Sequence, residues 1–329
     1  MELATQESRG ILIDSNPIID DFLCRALRGE RASWAEINAH VGTEEFLKRA
    51  EHHGVMSLLY HRVQPSDEWT GWPGDMREAL EQASFAGVAQ EMLRAHHLEK
   101  ILAEFDRQEV RCLLMKGEAL ALTHYSIPGT RARCDCDLFI HLDDIAAAKR
   151  AITAAGLKIV SPVFKTHQFT VIREADEAGA IQFDVHWRIL NHPRFARVLS
   201  FDEAFQASLE VPGMEKARML KVADALLVTC LHRLGSQSHD PDRLIWIHDI
   251  HVLQSSMTEE QLVNFAETAV DKNVQAICLD GLERASEYFG SAFSAQVMQV
   301  LRTPALPDSW SRRFSDSDLG LLLGVWWRV

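Results

Sequence analysis

Two aspartates separated by a single residue are the clearest chemical signal in the sequence. Asp135 and Asp137 lie in the segment RARCDCDLFI, whose apolar end predicts a strand. Side chains alternate between the two faces of a strand, so both carboxylates are expected on one face, with Cys134, Cys136 and Leu138 facing a core on the other. Neighbouring anions repel unless a cation lies between them, and Mg²⁺ typically takes one or two carboxylates plus substrate phosphates. The pair therefore predicts metal-dependent phosphate chemistry, whereas a solvated strand end is the alternative.

A second alternating segment, AIQFDVHWRIL, supplies a third carboxylate. Its apolar side chains occupy every other position, and Asp184 and His186 fall on the opposite face. If this strand lies beside the one bearing Asp135, the carboxylates converge as a site with two metal ions about 3.5–4 Å apart requires. Asp184 could otherwise be a surface residue paired with Arg188. His186 could bind phosphate, tune Asp184 or simply pack in the core.

Upstream, VRCLLMKGEALALTHY predicts a strand at 110–115, then Lys116 and Gly117, then a helix from about Glu118. A glycine at a strand-to-helix turn lets the backbone approach a ligand closely, and the helix N-terminus offers amide donors to an anion. Lys116 could add a point charge for a phosphate. Many such turns contain Lys-Gly for geometric reasons alone, so this motif gains weight only beside the carboxylates.

Taken in order, these elements resemble the nucleotidyltransferase superfamily of the DNA polymerase beta type, and more narrowly its poorly characterised bacterial branch. The resemblance is carried by Lys116-Gly117, by Arg131 four residues before Asp135-Cys136-Asp137, and by Asp184-Val185-His186-Trp187. The segments WAEINAHVGTEEFLKRAEHHGVMSLLYHRV and RLIWIHDIHVL are also similar to the helical flanks of that branch. The resemblance covers about residues 20 to 255.

The resemblance implies an α+β fold: a small nucleotidyltransferase-type mixed β-sheet core flanked by N-terminal and C-terminal helical regions. The implied activity is transfer of a nucleoside monophosphate from a nucleoside triphosphate, expected to be ATP, to an acceptor hydroxyl with release of pyrophosphate. Asp135, Asp137 and Asp184 would be the catalytic residues and would bind two Mg²⁺ ions. The residues expected to contact the nucleotide are Lys116, Gly117, Arg131 and His186, with a structural ion pair as the alternative for Arg131.

The sequence departs from the wider superfamily where Gly117 is followed by Glu118 in place of the usual serine. A carboxylate near a triphosphate is unfavourable unless it points away or is stabilised by the helix N-terminus. This departure leaves open a non-catalytic nucleotide-binding or scaffold protein on the same fold. A toxin-type nucleotidyltransferase acting on RNA or protein is a further alternative.

The composition limits the partners of the protein. The 329 residues are 47% hydrophobic and carry 34 Lys and Arg against 47 Asp and Glu, a formal charge of −13. Such a surface repels a long polyanion, so a small molecule, peptide or protein is favoured over nucleic acid as the acceptor. The start lacks a secretory signal and the apolar runs fall short of the roughly 20 residues that span a bilayer, so we expect a cytoplasmic protein without a membrane partner. Its six cysteines are expected to be reduced, and zinc at Cys134 and Cys136 is the less favoured alternative.

Changes in periodicity divide the chain into an N-terminal helical region (1–106), an α/β core (107–200) and a C-terminal helical region (201–329). We expect helices throughout the last region. Its closing stretch, DLGLLLGVWWRV, is apolar and predicts either a docked helix or a homodimer contact.

A competing metal site is suggested by histidines and aspartates near the C-terminal region, as in metal-dependent phosphohydrolases. Its members are His232, His239, Asp240, His248, Asp249 and His251. A helical apolar stripe explains much of this pattern without a metal. Asp249 and Arg243 are instead expected to hold the C-terminal helices to the core or to line the cleft.

Overall fold

The computed structural model describes residues 16–160, 167–176, 179–235 and 240–304. Within them the α-helices are α1 (Pro17–Leu27), α2 (Thr43–His52), α3 (Met56–Val63), α4 (Gly74–Arg107), α5 (Lys116–Thr123), α6 (Ile145–Ala154), α7 (Phe201–Gln206), α8 (Val222–Gly235), α9 (Leu244–Ser255), α10 (Glu259–Asp271), α11 (Gln275–Phe289) and α12 (Ala295–Leu301). The strands are β1 (Cys112–Met115), β2 (Cys136–Ile140), β3 (Lys158–Val160), β4 (Gln168–Asp176), β5 (Gly179–His186), β6 (Leu209–Val211) and β7 (Met214–Met219). Short 3-10 helices lie at Trp34–Glu36, Asp67–Gly71, Pro128–Thr130 and Leu142–Asp144.

These strands form one mixed sheet in the order β3-β4-β5-β2-β1-β7-β6. β2 runs parallel to β5 and β1 parallel to β7, and the other neighbouring pairs are antiparallel. Helices from both ends of the chain flank the sheet. The predicted α+β fold with a mixed sheet core is therefore confirmed.

The pairing of β2 with β5 positions the acidic residues. Asp137 lies directly opposite Asp184 in the parallel register, and Phe139 lies opposite His186. Adjacent strands are about 4.8 Å apart, so residues in register on one face are immediate neighbours. The adjacency of the two strands that the three-carboxylate hypothesis requires is confirmed.

Two hydrophobic cores lie on opposite faces of the sheet. One contains Cys136, Leu138 and Val185 and is covered by α6 and the C-terminal half of α4. The other contains Phe139 and the helices of the N- and C-terminal regions. Because residues alternate along β2, the face of Phe139 is also the face of Asp137. The carboxylates therefore face the terminal helices.

Several predicted elements agree with the structure. α2 begins at Thr43 and ends just before Gly54, which has a φ of +70° at the turn that follows. The long helix predicted from about Met76 to Asp106 is α4, and the strands predicted near 157–160 and 168–173 are β3 and β4. Among the described helices, none combines the length and apolar character needed to cross a bilayer.

The expectation of helices throughout the region from Phe201 onward is wrong at 209–219. There β6 and β7 form a hairpin across Pro212 and Gly213, and β7 joins the main sheet beside β1. The proline and glycine indicate a break equally well in a helical or a strand context, and both strands are short and partly exposed, so their sequences show little alternation. The division into three regions stays a prediction. The apolar C-terminal stretch lies outside the described residues.

Candidate active site

A cleft of about 420 Å³ lies between the sheet and helices from the two ends of the chain. The three predicted carboxylates, Asp135, Asp137 and Asp184, line it together with Lys116, Gly117 and Arg131. The opposite wall comes from the end of α2 and from α8 and α9. Six of the seven predicted site residues thus line one cleft. The seventh, His186, does not line it but forms a hydrogen bond with Asp137.

Asp135 immediately precedes β2, and it is half-buried at the cleft. Burial, and next the negative charge of Asp137, raise the pKa of Asp135 to about 7, although the charge of Lys116 opposes the shift. Within the part of the chain that the structure describes, no side chain donates a hydrogen bond to this carboxylate. A half-buried acid without a donor is a strong candidate for binding a cation.

Asp137 is partly neutralised by two neighbours. Lys116 Nζ donates to its Oδ1 at 2.7 Å, and His186 Nε2 donates to the same oxygen at 2.8 Å. Burial alone would raise the pKa of Asp137, but the charge of Lys116 and the hydrogen bond from His186 outweigh it and hold this pKa well below the usual range. Burial, reinforced by Lys116, lowers the pKa of His186, so its imidazole is neutral. Asp137 stays ionised, and its Oδ2 has no donor among the described residues.

Asp184 is held by polar residues of β4, its antiparallel neighbour. Thr170, which lies opposite it, donates to Oδ1 at 2.7 Å, and Gln168 donates to Oδ2 at 2.6 Å. Gln182 Nε2 adds a longer hydrogen bond to Oδ1 at 3.3 Å. These donors fix the carboxylate within the cleft wall, so Asp184 is a more constrained acid than Asp135.

The turn between β1 and α5 has the geometry of a ligand-facing loop. Lys116 has a φ of +53°, in the left-handed region that residues other than glycine seldom adopt. Such backbone strain often accompanies a functional position. A Cβ on Gly117 would lie 3.2 Å from the Arg131 guanidinium, so a larger residue would crowd this contact.

Arg131 is committed to an ion pair with the C-terminal region. Its Nη2 donates to Asp249 Oδ2 at 2.6 Å and its Nε to Oδ1 at 2.9 Å, a two-point contact in which both side chains are buried. Tyr125 Oη donates to the same carboxylate at 2.7 Å. This geometry supports the structural alternative for Arg131, and it agrees with the expectation that Asp249 holds the C-terminal helices to the core.

Glu118 points away from the cleft. Its side chain is fully buried and accepts a hydrogen bond from Arg133 Nε at 3.0 Å, while Arg133 Nη2 donates to Glu91 at 2.6 Å. Glu118 is therefore neutralised inside the protein. The Glu118 carboxylate is therefore not directed at a triphosphate in the cleft. Its presence in place of the usual serine is no longer an argument for a non-catalytic protein.

The expected orientation of the cysteines is confirmed in part. Cys136 is fully buried in the core beneath β2, as alternation predicts. Cys134 is exposed and lines the cleft, contrary to the expectation that it faces the core. The reason is that β2 begins only at Cys136, so strand alternation does not extend back to Cys134. All six thiols are free.

The competing histidine and aspartate cluster is dispersed in the structure. His248 lies 2.9 Å from Tyr125 Oη, His251 lies 2.7 Å from Ser291 Oγ, and Asp249 binds Arg131. His239 lies outside the described residues. Among those that are described, no three His, Cys, Asp or Glu side chains stand close enough together to hold a metal ion.

The donor set nevertheless fits a hard cation at two of the three carboxylates. Within the described ranges, no side chain donates to Asp135, and Oδ2 of Asp137 accepts no hydrogen bond. Mg²⁺ usually keeps several waters and takes only one or two protein carboxylates when substrate phosphates complete its shell. A protein-only cluster of three ligands is therefore not required at this site.

Two cleft residues were not predicted as part of the carboxylate site: Gln168 was not singled out, and His232 was assigned only to the competing metal site. His232 on α8 and Gln168 on β4 line the cleft, and burial lowers the pKa of His232 to about 3. Gln168 occupies the polar face of an alternating strand, which is the one sequence signal that pointed to it. Nothing local in α8 distinguishes His232, because its place in the cleft depends on how the helix docks.

A mixed sheet with flanking helices, and a cleft where paired aspartates meet a Lys-Gly turn, define a nucleotidyltransferase-type fold. Consistent with this, the sequence matches the model of a family described as uncharacterised nucleotidyltransferase over residues 39–290. The match spans well over half of the chain, so this protein belongs to that family and is a nucleotidyltransferase in the broad sense. No curated protein matches the sequence.

Proposed function

We propose that this protein transfers a nucleoside monophosphate from a nucleoside triphosphate, with ATP as the expected donor, to an acceptor hydroxyl. The observation that carries the proposal is the pair formed by Asp135 and Asp137, which face one cleft beside the Lys116 turn with Asp184 in register on the next strand. Family membership supports nucleotidyl transfer in general.

Asp135 and the Oδ2 of Asp137 would hold Mg²⁺ on the triphosphate, because no side chain that the structure describes donates a hydrogen bond to these oxygens. When bound, the ion neutralises phosphate charge and orients the phosphates for displacement. Asp184 would share a second ion through Oδ2, which accepts one hydrogen bond among the described residues, from Gln168, and so keeps a lone pair for the metal. Cation binding at Asp135 also relieves the repulsion between the two aspartates.

Lys116 and the backbone at Gly117 would contact the phosphates. The Lys116 ammonium lies at the cleft wall and already neutralises Asp137, so it can share its charge between that carboxylate and a phosphate oxygen. His186 holds Asp137 in its ionised form. Arg131, through Asp249, would fix the loop on which the acidic pair is mounted.

The reaction requires one bond to form and one to break. The acceptor oxygen forms a bond to the α-phosphorus, and the bond from that phosphorus to the bridging oxygen breaks, so that pyrophosphate leaves with the electron pair. Asp184 would receive the proton of the acceptor hydroxyl, because its carboxylate is fixed beside Asp137. There is little covalent chemistry for the protein in such a step, so positioning and charge neutralisation supply the catalysis.

The net charge of −13 supports a small molecule, peptide or protein as the acceptor in preference to nucleic acid. A toxin-type action on RNA or protein remains the alternative for the acceptor. The six free thiols fit a reducing compartment such as the cytoplasm.

The test is calorimetric titration with ATP, GTP, CTP and UTP, with and without Mg²⁺, of the wild type and of the double variant Asp135→Asn with Asp137→Asn. We expect Mg²⁺-dependent binding of at least one nucleotide that the double variant loses. Asp143→Asn with Asp144→Asn removes the same charge just after β2 and outside the cleft lining, and this control should bind normally. A folded wild type that binds none of the four nucleotides would overturn the proposal.

A further inference from the structure

The positive charges that line the cleft are nearly all neutralised by the protein itself. Lys116 pairs with Asp137, Arg131 with Asp249, and Arg133 with two buried glutamates. Arg243 differs from them: among the described residues, no carboxylate forms an ion pair with its guanidinium. A donor nucleotide adds several negative charges to a cleft that already contains three carboxylates. A guanidinium without a carboxylate partner among the described residues can neutralise part of that charge.

Arg243 is positioned by neutral groups, and no described carboxylate forms an ion pair with it. It directly precedes α9, and its Nε donates to the backbone carbonyl of His52, at the end of α2, at 2.8 Å. The guanidinium stacks on the ring of Trp246 with its carbon 5.2 Å from the ring centroid. A Cβ on Gly54 would lie 3.3 Å from Nη2, so the glycine turn leaves room for it. Among the described residues, neither terminal nitrogen has a hydrogen-bond acceptor.

This arrangement is costly unless an anion completes it. Burial lowers the pKa of Arg243, yet an arginine side chain stays protonated in proteins, so the charge persists. Asp240 is the carboxylate that influences it most, but its Oδ1 accepts from the Asp242 amide at 2.9 Å and its Oδ2 lies 3.3 Å from His52 Nε2. A planar guanidinium whose two terminal nitrogens have no acceptor among the described residues matches phosphate oxygens in geometry and charge.

We propose that Arg243 binds the β- and γ-phosphates of the donor nucleotide and stabilises the departing pyrophosphate, an inference that rests on the proposed nucleotidyl transfer. Arg243 belongs to the helical wall opposite β2, which carries Asp137 and directly follows Asp135, so the phosphate chain would lie between the two walls. As the bond to the bridging oxygen breaks, negative charge grows on the pyrophosphate side, and a fixed donor there lowers the barrier. The C-terminal helices thus contribute to catalysis as well as closing the cleft.

The experiment compares the triphosphate that binds the wild type with its own monophosphate, both with Mg²⁺, by calorimetry. The variants are Arg243→Gln, which keeps a side-chain donor for the His52 carbonyl, and Arg243→Lys, which keeps the charge but not the fork. We expect Arg243→Gln to weaken triphosphate binding about 10- to 100-fold, as for other charge-assisted contacts, and to leave monophosphate binding unchanged. Arg243→Lys should fall between this variant and the wild type.

Arg218→Gln is the matched control. Arg218 also donates through Nε, to Ser208 Oγ at 2.8 Å, and also stacks on an aromatic ring, that of Phe205, but it lies outside the cleft lining. This variant should bind both nucleotides as the wild type does. Thermal unfolding of each variant shows whether the fold is intact.

Two results would overturn the inference while leaving nucleotidyl transfer standing. One is an Arg243→Gln protein that binds the triphosphate as tightly as the wild type. The other is an equal loss of triphosphate and monophosphate binding, which would assign Arg243 to the base or to the fold. A wild type that binds no triphosphate at all instead overturns the proposed function, so the two failures are distinguishable.

Discussion

In the segment from Arg131 to Asp137, the two arginines and the two aspartates differ in how far other side chains neutralise their charges. Arg131 binds Asp249 through two nitrogens, and Arg133 lies between two buried glutamates. By contrast, Asp135 has no side-chain donor among the described residues, and Asp137 leaves one oxygen without a donor. The arginine half of the segment, Arg131 and Arg133, is therefore neutralised by described carboxylates. The acidic half, Asp135 and Asp137, keeps oxygens to which no described side chain donates.

The difference separates structural charge from functional charge. A buried ion pair in which each partner satisfies the other fixes two elements together, and removing one partner is costly. A buried acid without a partner costs folding free energy, and perturbed acids of this kind cluster at functional sites. The arginines of the segment therefore mount the loop, and the aspartates are available to a cation and a substrate. Four experiments test this contrast.

The largest expected effect is on the arginine half. Asp249→Asn leaves the buried Arg131 without its anion, and we expect a loss of about 3–5 kcal/mol in the free energy of unfolding. Urea denaturation measures this. Asp271→Asn, at an exposed position on α10, removes the same charge and should cost little. A loss below about 1 kcal/mol for Asp249→Asn would mean that the pair contributes little to the fold.

The acidic half should behave in the opposite way. The folded protein retains at Asp135 a proton that the unfolded chain releases near pH 3.8, because the pKa of Asp135 rises to about 7 on folding. This contribution to stability is present below pH 3.8 and is lost as the pH rises toward 7. Asn does not titrate, so Asp135→Asn should become more stable relative to the wild type over that range, with a ceiling of about 4 kcal/mol.

Urea denaturation at a series of pH values between 4 and 8, with a chelator present, measures this divergence. Asp143→Asn, at an exposed position beyond β2, is the control and should follow the wild type. If the unfolding free energies of Asp135→Asn and the wild type change in parallel with pH, folding does not raise the pKa of Asp135.

A smaller effect is expected where Glu118 departs from the usual serine. Glu118→Ser removes one of the two carboxylates that neutralise Arg133, so it should cost about 1–3 kcal/mol of stability. Nucleotide affinity should stay unchanged, because Glu118 is absent from the cleft lining. Tighter nucleotide binding by Glu118→Ser would show that the carboxylate does act on the ligand.

The smallest effect concerns the two cysteines within the segment. Cys134 is exposed in the cleft and Cys136 is fully buried, so a thiol reagent should modify Cys134 rapidly in the native protein and spare Cys136. Cys134→Ser should abolish the fast reaction with little change in stability. A fast reaction that persists in this variant would place the reactive thiol elsewhere.

The sequence by itself determined the chemistry of the strands. Alternation in β2 and β5 placed Asp137 and Asp184 on polar faces, and the Lys-Gly pair marked the turn before α5. These features are local, because side-chain direction along a strand repeats every two residues. The same reasoning failed at Cys134, which lies just before the strand, and at the β6–β7 hairpin, whose partner β1 is about a hundred residues away in the chain.

Only the tertiary structure decided which charges are neutralised and which remain available. The register that sets Asp137 opposite Asp184, the choice of Asp249 as partner for Arg131, and the inward direction of Glu118 all depend on how distant elements dock. Periodicity specifies a face, but the partner of a charge on that face is set by packing between segments far apart in sequence. For this reason the acidic pair could be predicted, and the uncommitted Arg243 could be recognised only in the folded chain.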